Sequence, residues 1–240
     1  TGVPIQIGTH FLFACPPPVG YTILEYMDFK NTIVMAHRGF FDSASRRVYR
    51  ENSCEVVALA NATPYITMIE LDIRKSQDGV LYCYHGNPFY YHILSKFRRP
   101  LSQVQRRYGV NSLAEILSVI GNDKIVFLDF KNTDINRDDV LRVLQGKTFR
   151  EVILANKSVR FLQRFHGMPT GFVKIINGNV LSSFYNLDKL KAQGYKYFET
   201  LFPWQINPRI VRRVRGHSLE FMVASNWFLS RQQYLRALRR

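Results

Sequence analysis

Cysteine and acidic side chains are scarce in this 240-residue chain, and long apolar runs are missing from it. The three cysteines, Cys15, Cys54 and Cys83, are too few and too scattered for a disulfide framework, and none has the CxxC spacing typical of zinc sites. No apolar run approaches the roughly 20 residues that span a bilayer. These absences argue against a disulfide-stabilised miniprotein, a zinc ribbon and a membrane-spanning helix.

Positive charge is in excess. Lysine and arginine number 33 against 18 acidic residues, which gives a net charge of +15. Apolar residues make up 46% and charged residues 21%, so the chain has the composition of a globular protein rather than a disordered one. The charge predicts attraction to anions such as phosphate esters, acidic lipid surfaces or nucleic acid. No nucleic-acid-binding motif accompanies it, so nucleic acid is not favoured.

Short β-branched runs alternate with segments of helical period from residue 33 onward. The predicted strands are 33–36, 66–73, 125–130, 152–155, 172–176, 195–199 and 221–224, and the predicted helices are 54–61, 112–120, 137–144, 158–165, 187–193 and 208–215. This alternation predicts an α/β fold with a parallel sheet. Since no break in composition divides the chain, we expect residues 1–240 to form one (β/α)8 TIM barrel, which typically takes about 250 residues.

Two places depart from this regularity. Asp78-Gly79 between two strand-like runs predicts a small hairpin insertion after the second strand, with residues 80–84 turning back. A closed barrel also needs an eighth strand, and only seven are found. One hypothesis is that residues 2–8 supply it as a permuted strand between the seventh and the first, and the alternative is that the strand is absent from this sequence.

Acidic side chains come at the carboxyl ends of the second and third strands. Glu70 and Asp72 are two residues apart on a strand, so both point into the barrel, and Asp129 ends the next strand. Neighbouring carboxylates repel unless a cation compensates or one protonates, and oxygen ligands suit Mg²⁺ or Ca²⁺. Two interpretations stay open: a divalent-metal site, or a buried salt bridge to Arg38 or Lys131.

Two histidines follow predicted strands on the same side. His37 and His85 would both lie at the barrel face where such enzymes carry their catalytic residues. Imidazole titrates near neutral pH, so a pair beside carboxylates favours acid–base catalysis. The remaining histidines, His10, His92, His166 and His217, have no comparable neighbours in the sequence.

Taken together, these segments resemble the glycerophosphodiester phosphodiesterases of the phospholipase C-like phosphodiesterase superfamily. The matching elements, in order, are His37-Arg38-Gly39, Glu51-Asn52-Ser53, Glu70-Leu71-Asp72, Asp78-Gly79, His85 and Asp129-Phe130-Lys131. The sequence departs from the family at Arg50, where proline is usual, at Gly86, where aspartate is usual, and at Asp129, where glutamate is usual. The run 84–88 is closer to the sphingomyelinase D and phospholipase D toxins of spiders.

The resemblance implies an enzyme that hydrolyses glycerophosphodiesters to glycerol 3-phosphate and an alcohol with one divalent cation, Mg²⁺ or Ca²⁺. It implies that the cation is held by Glu70, Asp72 and Asp129, with Glu51 in or near the metal shell. His37 and His85 would act as general base and general acid. Arg38 and Lys131 would bind the phosphoryl oxygens.

Two other functions stay open. Head-group release from lysolipids, as in lysophospholipase D or sphingomyelinase D, is favoured by His85-Gly86 and by the aromatic residues 89–91. The other function is that of an inactive barrel that binds anionic lipid. The cluster Arg46, Arg47 and Arg50, in the segment where a substrate would approach, predicts contact with an anionic membrane surface. The sequence itself assigns no compartment.

Overall fold

Parallel strands build the frame of the protein, whose structure is a computed structural model. It describes residues 10–13, 32–40, 43–86, 99–156, 158–178, 187–200 and 208–223. In chain order, strands β1 to β9 are His10–Phe13, Thr32–Ala36, Met68–Lys75, Leu81–Cys83, Ile125–Phe130, Glu151–Ala155, Phe172–Gly178, Tyr195–Thr200 and Glu220–Val223. All seven predicted strands are therefore confirmed, with boundaries that differ by a few residues.

Helices alternate with these strands. In chain order, α1 to α8 are Ser43–Val48, Cys54–Ala62, Leu101–Tyr108, Leu113–Ser118, Arg137–Leu144, Val159–Leu162, Leu187–Ala192 and Pro208–Gly216. Side chains fix where several of them begin: Ser112 and Glu115 form a capping box at α4, and Asn136 and Asp139 form another at α5. Within the described ranges, no helix has the length and apolar character needed to cross a bilayer.

The strand order is that of a barrel. Eight strands follow one another as β1-β2-β3-β5-β6-β7-β8-β9, and every neighbouring pair in this series is parallel. Cα atoms of β1 and β9 lie within 8 Å of one another, so the two ends of the curled sheet meet. The eighth strand is β1, which begins at His10; residues 2–8, where we expected it, lie outside the described residues. The α/β barrel fold is confirmed, and the extent of the domain over residues 1–240 stays a prediction.

The hairpin insertion is also confirmed. Strand β4 pairs antiparallel with β3, outside the barrel series, with Ile73 opposite Cys83. Gly79 in the turn between them has a φ of +81°, which glycine adopts without strain. The hairpin brings the segment after β4, with His85, back to the carboxyl end of β3.

The core has two layers because the strands are buried on both faces. The barrel interior is filled by Met35, Met68, Phe127, Ile153 and Tyr197 together with smaller side chains. A larger apolar layer lies between the sheet and the helices. On β3 the alternation turns Ile69, Leu71 and Ile73 toward the outer layer. The intervening Glu70 and Asp72 then belong to the interior face, above the apolar filling.

Candidate active site

Three carboxylates meet at the carboxyl end of the barrel. Glu70, Asp72 and Asp129 each offer one oxygen, and these oxygens lie within 4.8 Å of one another. Asp72 and Asp129 are paired residues of the neighbouring strands β3 and β5, which explains why their side chains converge. Glu70 and Asp72 are 3% and 1% exposed. The predicted acidic cluster is therefore present and could hold a metal ion.

Two cations lie against this cluster. The Lys131 ammonium is 2.8 Å from Asp72 Oδ1 and also pairs with Asp129, and Arg38 Nε is 3.3 Å from Asp72 Oδ2. Burial alone would raise the pKa of Asp72, but Lys131 and Arg38 outweigh it and hold that pKa below its usual value. The salt bridges expected under the second interpretation of the acidic pair are therefore present as well.

The charge balance of the cluster suits an additional cation. Burial, and then the negative charge of Asp72, raises the pKa of Glu70 well above its usual value, so this carboxylate lacks sufficient compensation. Among the residues that the structure describes, Asp72 Oδ1 lies 2.8 Å from the Lys131 ammonium, and that contact lacks hydrogen-bond geometry. Three carboxylate oxygens from a buried site are the ligands that Mg²⁺ and Ca²⁺ prefer. The residues present fit a divalent cation, whose identity they leave open.

A tight turn after β2 carries His37 and Arg38. Arg38 has a φ of +57°, and the backbone N–H of Phe40 donates to the His37 carbonyl at 2.9 Å. Arg38 N in turn donates to Glu70 Oε2 at 2.7 Å. At Gly39, with a φ of +80°, a Cβ would lie 2.7 Å from Val56 Cγ1, so glycine lets α2 pack directly on the turn. The turn is thereby fixed to both β3 and α2.

The His37 imidazole faces the acidic cluster. Its Nε2 lies 3.8 Å from Glu70 Oε2, and a third of the side chain is exposed. Loss of hydration, followed by the positive charge of Arg38, lowers the pKa of His37 to about 3. The ring is therefore neutral at pH 7 and can accept a proton.

The segment Glu51-Asn52-Ser53 connects the turn, the cluster and α2. Glu51 Oε2 accepts a hydrogen bond from Arg38 Nη1 at 2.9 Å, and it is not among the carboxylates of the cluster. Asn52 binds Asp72 through two hydrogen bonds of 2.9 and 3.0 Å. Ser53 caps α2, because its Oγ accepts from Val56 N. The structure thus places Glu51 against Arg38, which also contacts Asp72, and a place for Glu51 in or near the metal shell stays a prediction.

His85 follows the hairpin strand β4. The backbone N–H of Tyr84, the preceding residue, donates to the Asp72 carbonyl at 2.9 Å, and burial lowers the pKa of His85 while the charge of Asp72 opposes this effect. The carbonyl oxygens of Tyr84 and His85 accept hydrogen bonds from Arg74. The hairpin backbone thus brings His85 beside the strand that carries Glu70 and Asp72, and its catalytic role stays a prediction.

Sequence reasoning missed one acidic residue of this end of the barrel. Glu199, near the end of β8, is buried, and its pKa is raised to about 8 by burial and then by Asp129, with Lys131 opposing. A carboxylate that ends a predicted barrel strand was the available signal, since Glu199 closes the run 195–199. Asn52 belongs to the Glu51-Asn52-Ser53 motif. Its hydrogen bonds to Asp72 join residues that are 20 positions apart, so they could not be derived from spacing.

Among the basic residues after His37, Arg38 lies in the site, whereas Arg47 and Arg50 are exposed at the surface. Arg50 turns away from the carboxylates, with its guanidinium 3.2 Å from the Tyr108 carbonyl and 3.3 Å from Asn111 Oδ1. Arg47 on α1 and Arg107 on α3 are exposed. Arg50 thus links the end of α3 to the segment that follows α1.

Similarity to known proteins is found in three dimensions rather than in sequence. Neither a protein-family model nor a curated protein matches this chain. Solved structures do: a glycerophosphodiester phosphodiesterase from Thermotoga maritima has 17% identity and a TM-score of 0.62, covering 87% of this chain and 89% of its own. One from Agrobacterium tumefaciens has 20% identity and a TM-score of 0.59, covering 80% and 86%. One from Parabacteroides distasonis has 16% identity and a TM-score of 0.61, covering 86% and 87%. This chain therefore has the (β/α)8 fold of the glycerophosphodiester phosphodiesterase structures.

Proposed function

We propose that the protein is a metal-dependent phosphodiesterase that hydrolyses glycerophosphodiesters to glycerol 3-phosphate and an alcohol. The observation that carries the proposal is the convergence of Glu70, Asp72 and Asp129 within 4.8 Å, beside His37, on a barrel of this fold. A structural ion pair alone would not require three carboxylates, two imidazoles and two further cations at one barrel mouth.

The two imidazoles divide the proton transfers. His37, neutral at pH 7, takes the proton from the attacking hydroxyl group, which the family resemblance assigns to the substrate itself with a cyclic phosphate as first product. His85, in its protonated form, donates a proton to the oxygen of the leaving alcohol, and because burial lowers the pKa of His85 this step should be favoured as pH falls. In the second step, hydrolysis of the cyclic phosphate, the same two groups exchange roles.

Positive charge serves the phosphoryl group. Arg38 and Lys131 bind its non-bridging oxygens, where negative charge accumulates as the bond order changes. Both are already held by carboxylates, Arg38 by Glu51 and Lys131 by Asp129, so they need little reorganisation when the substrate enters. Glu70, Asp72 and Asp129 would hold a divalent cation, which would supply Lewis-acid polarisation of the phosphoryl group.

Turnover of two substrates tests the proposal. Glycerophosphocholine and lysophosphatidylcholine are each incubated with the protein and Mg²⁺ or Ca²⁺, and the released choline is quantified. His37→Ala and His85→Ala should each lower kcat by about 10²-fold or more, because each removes one proton-transfer group. His166→Ala, at an exposed histidine of the 3₁₀ turn, is the matched control. Full activity of the His37→Ala variant would exclude the assigned acid–base role.

Lysolipid substrates form the second candidate, because one surface near the site favours them. Val48 at the end of α1 is 73% exposed, beside the exposed Arg47. An apolar side chain next to basic ones suits an interface with anionic lipid. Preferential turnover of lysophosphatidylcholine over glycerophosphocholine would favour this assignment, and binding of anionic lipid without turnover of either would favour the inactive barrel.

A further inference from the structure

Backbone pairing of the hairpin ends just before His85. The Tyr84 N–H donates to the Asp72 carbonyl at 2.9 Å, which is the last backbone hydrogen bond between the two strands toward the site. The next two carbonyl oxygens, those of Tyr84 and His85, then accept from one side chain. Arg74 Nε donates to the Tyr84 carbonyl and Arg74 Nη2 to the His85 carbonyl, both at 2.9 Å.

We propose that Arg74 is a positioning residue for His85. Beyond the last backbone hydrogen bond of the hairpin, its guanidinium binds the Tyr84 and His85 carbonyls, and it thereby fixes the backbone that presents the His85 imidazole to the site. This inference rests on the proposed function, in which His85 transfers a proton. No motif of the sequence pointed to Arg74, which follows Asp72 by two residues on β3 and donates two hydrogen bonds to backbone carbonyls.

The shape of the guanidinium suits this role. Its N–H groups form a rigid planar fork that can serve two adjacent carbonyls at once, whereas a lysine ammonium is a point charge on a flexible chain. Arg74 is 8% exposed, so few water molecules compete for the two carbonyls. Its Cζ lies 6.0 Å from the centroid of the Tyr84 ring, which in turn packs on Tyr108 at 5.1 Å.

The residue after His85 supports the same conclusion. Gly86 has a φ of +72°, and a Cβ there would lie 3.0 Å from Tyr84 Cε1 and 3.5 Å from Arg74 Nη2. Glycine therefore lets the chain leave the site directly beside the guanidinium. The direction of the chain at His85 is therefore fixed by the Arg74 guanidinium, which binds the two carbonyls, and by the turn at Gly86.

Proton transfer is sensitive to such placement. A general acid must come within about 2.6–3.2 Å of the oxygen it protonates, and a displacement of 1 Å can reduce a rate about 10²-fold. Loss of the Arg74 hydrogen bonds should therefore act on the chemical step and leave substrate binding largely intact.

The test measures kcat and KM for glycerophosphocholine in Arg74→Ala and Arg74→Lys, with melting temperature as a check of folding. We expect kcat of Arg74→Ala to fall about 10- to 100-fold and KM to change less than about 3-fold. Added guanidinium ion should restore part of kcat in Arg74→Ala and should have no such effect on His85→Ala. Arg74→Lys, which keeps the charge but not the fork, should lie between wild type and Arg74→Ala.

Arg164 provides the matched control. Its Nη1 donates to the Thr133 carbonyl at 2.6 Å and its Cζ lies 5.7 Å from the Phe161 ring centroid, so it makes the same kinds of contact away from His85. Arg164→Ala should keep the wild-type kcat. If His85→Ala is inactive while a folded Arg74→Ala or Arg74→Lys variant keeps the wild-type kcat, the inference is overturned. If His85→Ala itself keeps full activity, the proposed function fails first.

Discussion

Asn52 and Asp72 form a closed pair: the Asn52 amide donates to Asp72 Oδ2 at 2.9 Å, and its carbonyl oxygen accepts from the Asp72 backbone N–H at 3.0 Å. Both residues are almost fully buried. Asn52 reaches this position with a φ of +55°, a conformation that asparagine tolerates better than most residues. The pair fixes one carboxylate of the acidic cluster from the segment that begins α2.

Removing the Asn52 amide should destabilise the protein. Asn52→Gly keeps the positive φ but removes the acceptor of the buried Asp72 N–H and the amide donor to Asp72 Oδ2, so we expect a loss of about 1–3 kcal/mol in the free energy of unfolding. Urea denaturation measures it. Asn52→Asp should be worse at neutral pH, because it places a second carboxylate 2.9 Å from Asp72 Oδ2. Wild-type stability of both variants would show that the pair contributes nothing.

Cation binding should depend on Asp129. Asp129→Asn removes one charged ligand oxygen, so we expect at least about a 10-fold loss of affinity for Mg²⁺ or Ca²⁺, seen as a smaller rise of the melting temperature on addition of the cation. Asp123→Asn is the control, because Asp123 is exposed and lies outside the cluster. An unchanged cation response in the Asp129 variant would remove this residue from the ligand set.

The free energy of unfolding should decrease as pH rises, because of the raised pKa of Glu199. Its pKa is about 8 in the folded state against 4.5 unperturbed, so between these values the folded protein keeps a proton that the unfolded chain has lost. The stabilisation is fully present below pH 4.5 and disappears as pH rises through about 8. Glu199→Gln should remove this dependence and become more stable than wild type at pH 8, by up to about 4 kcal/mol.

Urea denaturation at several pH values, in chelator so that no divalent cation affects the carboxylates, measures this difference. A parallel pH dependence of wild type and Glu199→Gln would show that Glu199 ionises normally in the folded protein.

Anionic vesicles should bind the exposed basic residues of α1 and α3, among them Arg47 and Arg107. Reversing two exposed charges, in Arg47→Glu with Arg107→Glu, should weaken binding to phosphatidylserine vesicles by at least about 10-fold, because each basic residue near such a surface contributes about 1 kcal/mol. Sedimentation with vesicles measures it, and neutral phosphatidylcholine vesicles are the control. Equal sedimentation of wild type and variant would place any membrane contact elsewhere.

The barrel could be predicted because its strands are buried on both faces. Runs such as 125–130 and 152–155 are almost wholly apolar, and this pattern is local. The position of β1 could not be derived in the same way, since a four-residue apolar run such as His10–Phe13 does not distinguish a strand from a helix. Helix α3 was also missed: Leu101, Val104 and Tyr108 have helical spacing, but three apolar residues in an eight-residue segment give a short signal.

The candidate site could be predicted where its side chains follow the two-residue period of a β-strand. Glu70 and Asp72 share a face because they are two residues apart, and Asp129 joins them because parallel strands end at the same edge. The links between distant segments, Asn52 to Asp72 and Arg74 to the His85 carbonyl, depend on the tertiary packing of α2 and of the hairpin. No spacing in the sequence encodes those contacts.

Phosphorus NMR of glycerophosphocholine incubated with the protein tests the central claim most directly. With Mg²⁺ or Ca²⁺ present, we expect the diester signal to be replaced by that of glycerol 3-phosphate. Chelator should stop the conversion and renewed cation should restore it, because the carboxylates of Glu70, Asp72 and Asp129 then regain their ion. A diester signal that persists with either cation, or that decays equally in chelator, would contradict the account.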